Sequence, residues 1–196
     1  MYRHVTATML ALALVPLAAS AALSQDRLDL SSALELNIHG GSMGLDQLDA
    51  WEIHGGGNAL VHLGSGFGLG ATVDWVRTKV DVGDDEEEDA TFWYYNAELQ
   101  YALPSVTRAQ FYGVFGVGVS RYDASEELEE AGVEGDTNLM VPIGLGVRWL
   151  NRKVDPSWGA TFDVRDRIVY IEDDRVDTSI SSDWSIAIGL SLILGG

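Results

Sequence analysis

The sequence contains no cysteine. Disulfides, thiol chemistry and lipid attachment at an N-terminal cysteine are therefore excluded. Past its N-terminal stretch it has no apolar run near the roughly 18 residues that a spanning helix needs. A membrane-embedded form of this chain would have to be a closed barrel, because only helices and closed barrels satisfy their backbone hydrogen bonds in lipid. Basic residues are also scarce. Twelve Lys and Arg face 30 Asp and Glu, a formal charge of −18. That balance argues against nucleic acid as a partner and against a polybasic membrane-surface binder.

The N-terminus is organised differently from the rest. Arg3 and His4 precede a mostly apolar run over 5–17, and Ala19-Ser20-Ala21 is a small-x-small end. This order is that of a secretory signal peptide, too short to span. Residues 1–21 are thus expected to be a signal peptide, and 22–196 one exported domain.

The most informative stretch is 137–150, TNLMVPIGLGVRWL. Alternate residues from Leu139 are Leu139, Val141, Ile143, Leu145, Val147 and Trp149. The other set is Asn138, Met140, Pro142, Gly144, Gly146 and Arg148. A strand sends successive side chains to opposite faces, so one face is bulky and apolar, the other small or polar. That pairing fits lipid outside and a packed polar lumen inside. Eight such segments follow one another, at 33–40, 51–63, 67–82, 91–103, 109–123, 137–150, 157–172 and 182–194. Pro142 lacks a donor for the ladder, so a bulge or a missing bond is expected there.

Connections alternate as well. Those at 64–66, 104–108 and 151–156 are short, and those at 41–50, 83–90, 124–136 and 173–182 are longer. Long and short connections on opposite ends suit an outer-membrane barrel with periplasmic turns and longer outside loops. The four longer ones hold 17 acids against one base, Arg175. The runs at 84–89 and 126–130 read first as solvated faces. Divalent cations bridging them to lipopolysaccharide phosphates are the functional alternative, through oxygen ligands of no fixed spacing.

All six tryptophans fall on the apolar parity near strand ends. Trp51, Trp75, Trp93 and Trp184 lie toward the longer loops, Trp149 and Trp158 toward the short turns. They form the expected membrane-interface girdles. Phe67 and Trp75 are eight residues apart. At about 3.3 Å per residue and a tilt near 40° that is about 20 Å of height, close to the apolar band of about 25 Å.

The opposite parity collects Glu35, Asn37, His39, Glu52, His54, Asp74, Asn96, Glu98, Gln100, Gln110, Arg148, Thr161, Asp163 and Arg165 among many glycines. An eight-stranded barrel has a lumen that side chains can fill. Glu35, Asp74, Glu98 and Asp163 are therefore expected to pair with Arg148 and Arg165 in a structural charge network, with a gated ion path as the weaker alternative. His39 and His54 share this face with Glu52. Three such ligands could hold a metal, but without tight histidine spacing hydrogen bonding is the expectation, and no metal or other cofactor is assigned. Ser65 near His62 is too weak a pairing to assign a nucleophile, so no catalytic residue is assigned.

The signal end Ala19-Ser20-Ala21, the strand 108–119 (RAQFYGVFGVGV) and the closing strand 184–194 (WSIAIGLSLIL) carry a resemblance. The chain resembles the small eight-stranded outer-membrane β-barrel proteins of the OmpA/OmpX type and the opacity-protein-like surface antigens. Such barrels usually close on a terminal aromatic, and this chain ends Leu192-Ile193-Leu194-Gly195-Gly196. The expectation is an all-β fold, a closed eight-stranded antiparallel up-and-down transmembrane barrel. It would be a non-enzymatic surface or structural protein of the outer membrane, with lipid and lipopolysaccharide as neighbours. A narrow cation-preferring channel or small-molecule conduit, and a lipid A-modifying enzyme, are the functional alternatives. A soluble lipocalin-like barrel is the fold alternative, with the apolar parity turned inward.

Overall fold

The computed structural model describes residues 32–48, 50–83, 86–104, 108–123, 136–151, 157–173 and 176–195. The expected signal peptide lies outside them, as do the run 126–130 and the side chains at 84–87. Eight strands follow in order: β1 (Leu34–Leu45), β2 (Ala50–Gly64), β3 (Phe67–Gly83), β4 (Glu86–Ala102), β5 (Ala109–Asp123), β6 (Asp136–Asn151), β7 (Ser157–Asp173) and β8 (Val176–Leu194). A 3-10 turn, Asp46–Leu48, links β1 to β2. Each strand pairs antiparallel with its neighbour in sequence. β1 then pairs with β8, from Leu34 opposite Leu194 to Gly44 opposite Trp184. This last ladder closes the barrel, so that each of the eight strands has a paired neighbour on both sides.

The bulky face points out. Ile53 is 80% exposed and Ile38 70%, whereas Asp74 and Arg148 have no exposed surface. Such an exterior would be costly in water and is stable in lipid. It also rules out the lipocalin-like arrangement, in which these side chains would fill the interior.

Three of the expected longer loops are shorter than the sequence suggested. β1 continues to Leu45, β4 begins at Glu86 and β8 at Val176. Apolar alternation stops at the edge of the apolar band, but backbone pairing does not depend on it. Above the band, polar residues keep the ladder going, with Arg77 opposite Thr91 and Lys79 opposite Asp89. Opposite charges placed directly across such a pair favour it.

Pro142 interrupts pairing without shifting it. β5 and β6 pair from Ala109 and Trp149 to Phe115 and Ile143, then resume at Gly118 and Met140 in the same register. The outcome is the missing bond, not the bulge. Gly116 makes room for the ring: a Cβ there would lie 3.0 Å from Pro142 Cγ and 2.5 Å from the Ala97 carbonyl oxygen.

The interior carries apolar residues near both ends. Met43, Leu45, Val76, Tyr94, Met140 and Val169 pack together toward the end bearing the β1–β2 turn, with Leu48, Phe92 and Ile171 against them. Ala33, Leu150 and Ile193 pack at the end where both termini lie, and Ala102, Tyr112 and Val114 form a third group. Polar and charged side chains occupy the space between.

Candidate functional site

The polar interior is built in layers, because every inward position on eight tilted strands projects into one narrow space. In the layer nearest the termini, Arg148 on β6 reaches across the lumen to Glu35 on β1 and Gln100 on β4. Ser191 Oγ donates to the second oxygen of Glu35 at 2.7 Å, and His62 Nε2 lies 3.0 Å from the first. The guanidinium of Arg148 also sits over the Tyr112 ring, 5.2 Å from its centre.

The next layer is centred on Arg165 of β7. Its Nη1 donates to Glu98 at 2.9 Å and its Nε to Asp163 at 2.8 Å. Tyr112 adds a weaker contact to Asp163 at 3.4 Å, and Asn96 donates to Glu98 at 3.1 Å. Charges this deep are tolerable only when paired and hydrogen-bonded.

The third layer holds Arg167 and Asp74, whose Nη2 and Oδ2 are 2.5 Å apart. Arg167 also donates to Ser185 Oγ at 2.7 Å and lies over the Tyr94 ring, 5.2 Å from its centre. His39 Nε2 is 2.5 Å from the other oxygen of Asp74. Above it the Tyr94 hydroxyl donates to Asp183 at 3.0 Å, and the backbone N–H of Asp46 reaches the same carboxylate at 3.1 Å.

All six residues expected in the lumen therefore lie inside, and the structure divides them among separate layers. Glu35 goes with Arg148, and Glu98 and Asp163 with Arg165. Asp74 takes neither of these arginines. Its cation is Arg167, which sequence reasoning did not place. The signal was present, since Arg167 continues the inward parity of Thr161, Asp163 and Arg165. His62, Tyr94, Tyr112 and Asp183 were missed although each holds an inward position: His62 meets Glu35 on the neighbouring strand, and the partners of the other three lie on strands not adjacent to their own. Glu52 does not join His39 and His54 as expected. It accepts a hydrogen bond from Thr78 at 3.1 Å, and the carboxylate beside the two imidazoles is that of Asp74.

The tryptophans all occupy outward positions. Trp51, Trp75, Trp149 and Trp158 are exposed, and Trp93 and Trp184 are half-buried. Trp93 stacks on Tyr95 with ring centres 6.1 Å apart. At the other end Phe67 and Tyr101 sit across from each other, with centres 4.8 Å apart.

A family model described as outer membrane protein beta-barrel domain matches residues 7–195. The chain belongs to that family and is an outer-membrane β-barrel protein. Comparison with curated proteins gives no significant match. Among solved structures the fold is similar to Neisserial surface protein A, with 8% identity, a TM-score of 0.60, and 82% of this chain and 95% of that chain covered. It is also similar to the N-terminal barrel domain of Pseudomonas aeruginosa OprF, with 11% identity, a TM-score of 0.51, and 84% and 98% covered. At these identities the likeness is one of fold.

Proposed function

We propose that this is a non-enzymatic surface protein that spans the outer membrane, with its charge layers as structure and its acidic rim as the working face. The observation that carries this reading is the filled lumen. Three arginines cross it, each tied to at least one carboxylate, with apolar clusters above and below. A conduit would need a continuous wet path, and eight strands leave room for side chains alone. What remains to act is the exterior. The tryptophans serve as girdles that set the barrel's height in the bilayer. Residues 1–21 direct export and are removed.

The rim is where acids collect. Asp46, Asp89, Asp123 and Asp136 stand at the end opposite the termini. That end faces outside and the termini face the periplasm, as short turns and longer loops assort in such barrels. Lipopolysaccharide is the neighbour, and Ca²⁺ or Mg²⁺ bridges rim carboxylates to its phosphates.

The test is topological and chemical together. The full chain is expressed in a Gram-negative host with an epitope inserted within 124–135, or instead within 104–108. Antibody on intact cells is expected to label the first insertion only, and the lipid A mass spectrum to stay unchanged. Labelling of the second insertion alone would reverse the orientation. Loss or gain of an acyl chain would replace the surface reading with an enzymatic one.

A further inference from the structure

We propose that His39, His54 and Asp74 form a lumenal site for a divalent transition metal of the Zn²⁺ class. The three residues sit on adjacent strands, β1, β2 and β3, and all project inward. Their ligand atoms lie within 4.8 Å of one another. Two imidazoles and one carboxylate are a donor set suited to Zn²⁺ or Co²⁺, with one position left open.

His54 is the observation that points to a ligand. It is 2% exposed, and neither ring nitrogen has a hydrogen-bond partner. The Ile186 carbonyl lies nearby and takes a proton from one ring nitrogen at most, which leaves the other without a partner. Leaving a buried polar atom unsatisfied costs about 1–3 kcal/mol. A buried imidazole placed beside another imidazole and a carboxylate, with at least one ring nitrogen unpartnered, is explained by a cation that all three share.

The proton arrangement around His39 agrees. Asn37 Nδ2 donates to Thr161 at 3.0 Å and to Ser191 at 2.9 Å, which fixes its oxygen as an acceptor. His39 Nδ1 lies 3.0 Å from that oxygen and must donate to it. In the neutral ring Nε2 then carries a lone pair, and it faces Asp74 Oδ1 at 2.5 Å. Two lone pairs then face each other, an arrangement that a shared cation relieves once the atoms move apart to ligand spacing. A ring nitrogen oriented by a hydrogen bond on its opposite side is the usual state of a metal-binding histidine. Arg167 occupies Asp74 Oδ2 and leaves Oδ1 for the ion. Its charge opposes the ion, so the two imidazoles supply most of the affinity.

Space is kept over these atoms. A Cβ on Gly56 would lie 2.2 Å from Asp74 Oδ1 and 2.8 Å from His39 Nε2. A tetrahedral ion needs ligand atoms about 3.3 Å apart, given metal–ligand distances of about 2.0–2.2 Å. Small rotations of the two rings, one tilted 56° to the other with centres 6.1 Å apart, supply the adjustment. The apolar cluster of Met43, Val76, Tyr94, Met140 and Val169 lies toward the rim. The ion therefore enters as the barrel closes.

The test folds the untagged full chain into detergent micelles with Co²⁺ present, then strips loose metal with a chelating resin. The wild type is expected to keep about one Co²⁺ per barrel, with the visible absorption of four-coordinate Co²⁺. His54→Phe keeps the ring volume and removes both nitrogens. Because those nitrogens make no side-chain hydrogen bond and at most one to the Ile186 carbonyl, the variant is expected to fold, as shown by its gel shift before boiling. It should lose retained Co²⁺ by about tenfold or more, since even a second-shell change commonly costs that much. His39→Ala should do the same, and His62→Asn, in another layer, should retain the metal. A wild type that keeps no Co²⁺, or a folded His54→Phe that keeps as much as wild type, overturns the proposal.

Discussion

Arg165 illustrates how the interior is held. It lies between Glu98 and Asp163, at 2.9 and 2.8 Å, with its side chain 4% exposed. Arg165→Met would leave two carboxylates facing each other without a cation. Breaking a buried pair from one side costs about 3–5 kcal/mol, so the urea midpoint for folding into micelles should fall by that equivalent. Adding Glu98→Gln and Asp163→Asn should recover part of the loss, because a well-packed neutral cluster can replace an ion pair. Tyr94→Phe is a milder case. It strands one oxygen of Asp183 and should cost about 1–3 kcal/mol in the same assay. Parity alone makes these residues legible as inward. Which arginine meets which carboxylate is not legible, because Arg148 and Glu35 are brought together by closure of β1 on β8. The assignment of Asp74 failed for that reason: its partner Arg167 lies on β7, and nothing local links them.

The strands obey the two-residue period closely enough that every outward tryptophan was legible. Strand ends were less so. Period-two apolarity reports contact with lipid, and pairing continues past lipid wherever polar residues face each other, as at Lys79 and Asp89. Two substitutions probe this level. Phe115 stands outward near the middle of β5 and is 58% exposed. Phe115→Arg puts a charge in the apolar band and should cost about 2–4 kcal/mol, whereas Thr137→Arg, on the rim side of the same face, should cost about 0–1. Both are read from urea midpoints in lipid vesicles. Gly41 sits where β1 passes β8, and a Cβ there would lie 1.9 Å from the Ile186 carbonyl oxygen. The close neighbour is backbone and cannot rotate away. Gly41→Ala should reduce the fraction of chain that reaches the gel-shifted folded form.

For the whole molecule the decisive feature is a closed wall around a filled interior. Closure was legible because eight two-faced strands leave no other way to satisfy the backbone in lipid. The filling was legible only in kind, since layers and apolar clusters depend on register between strands far apart in sequence. The proposed surface role rests on that filling, because a packed lumen leaves the exterior as the face that can act. Conductance of the folded chain in a planar bilayer tests this most directly. A packed lumen should give a flat baseline at physiological salt and ordinary voltages, also after His54→Phe. Discrete, ohmic, cation-selective steps that appear with the gel-shifted protein, and disappear when it is boiled before addition, would contradict it.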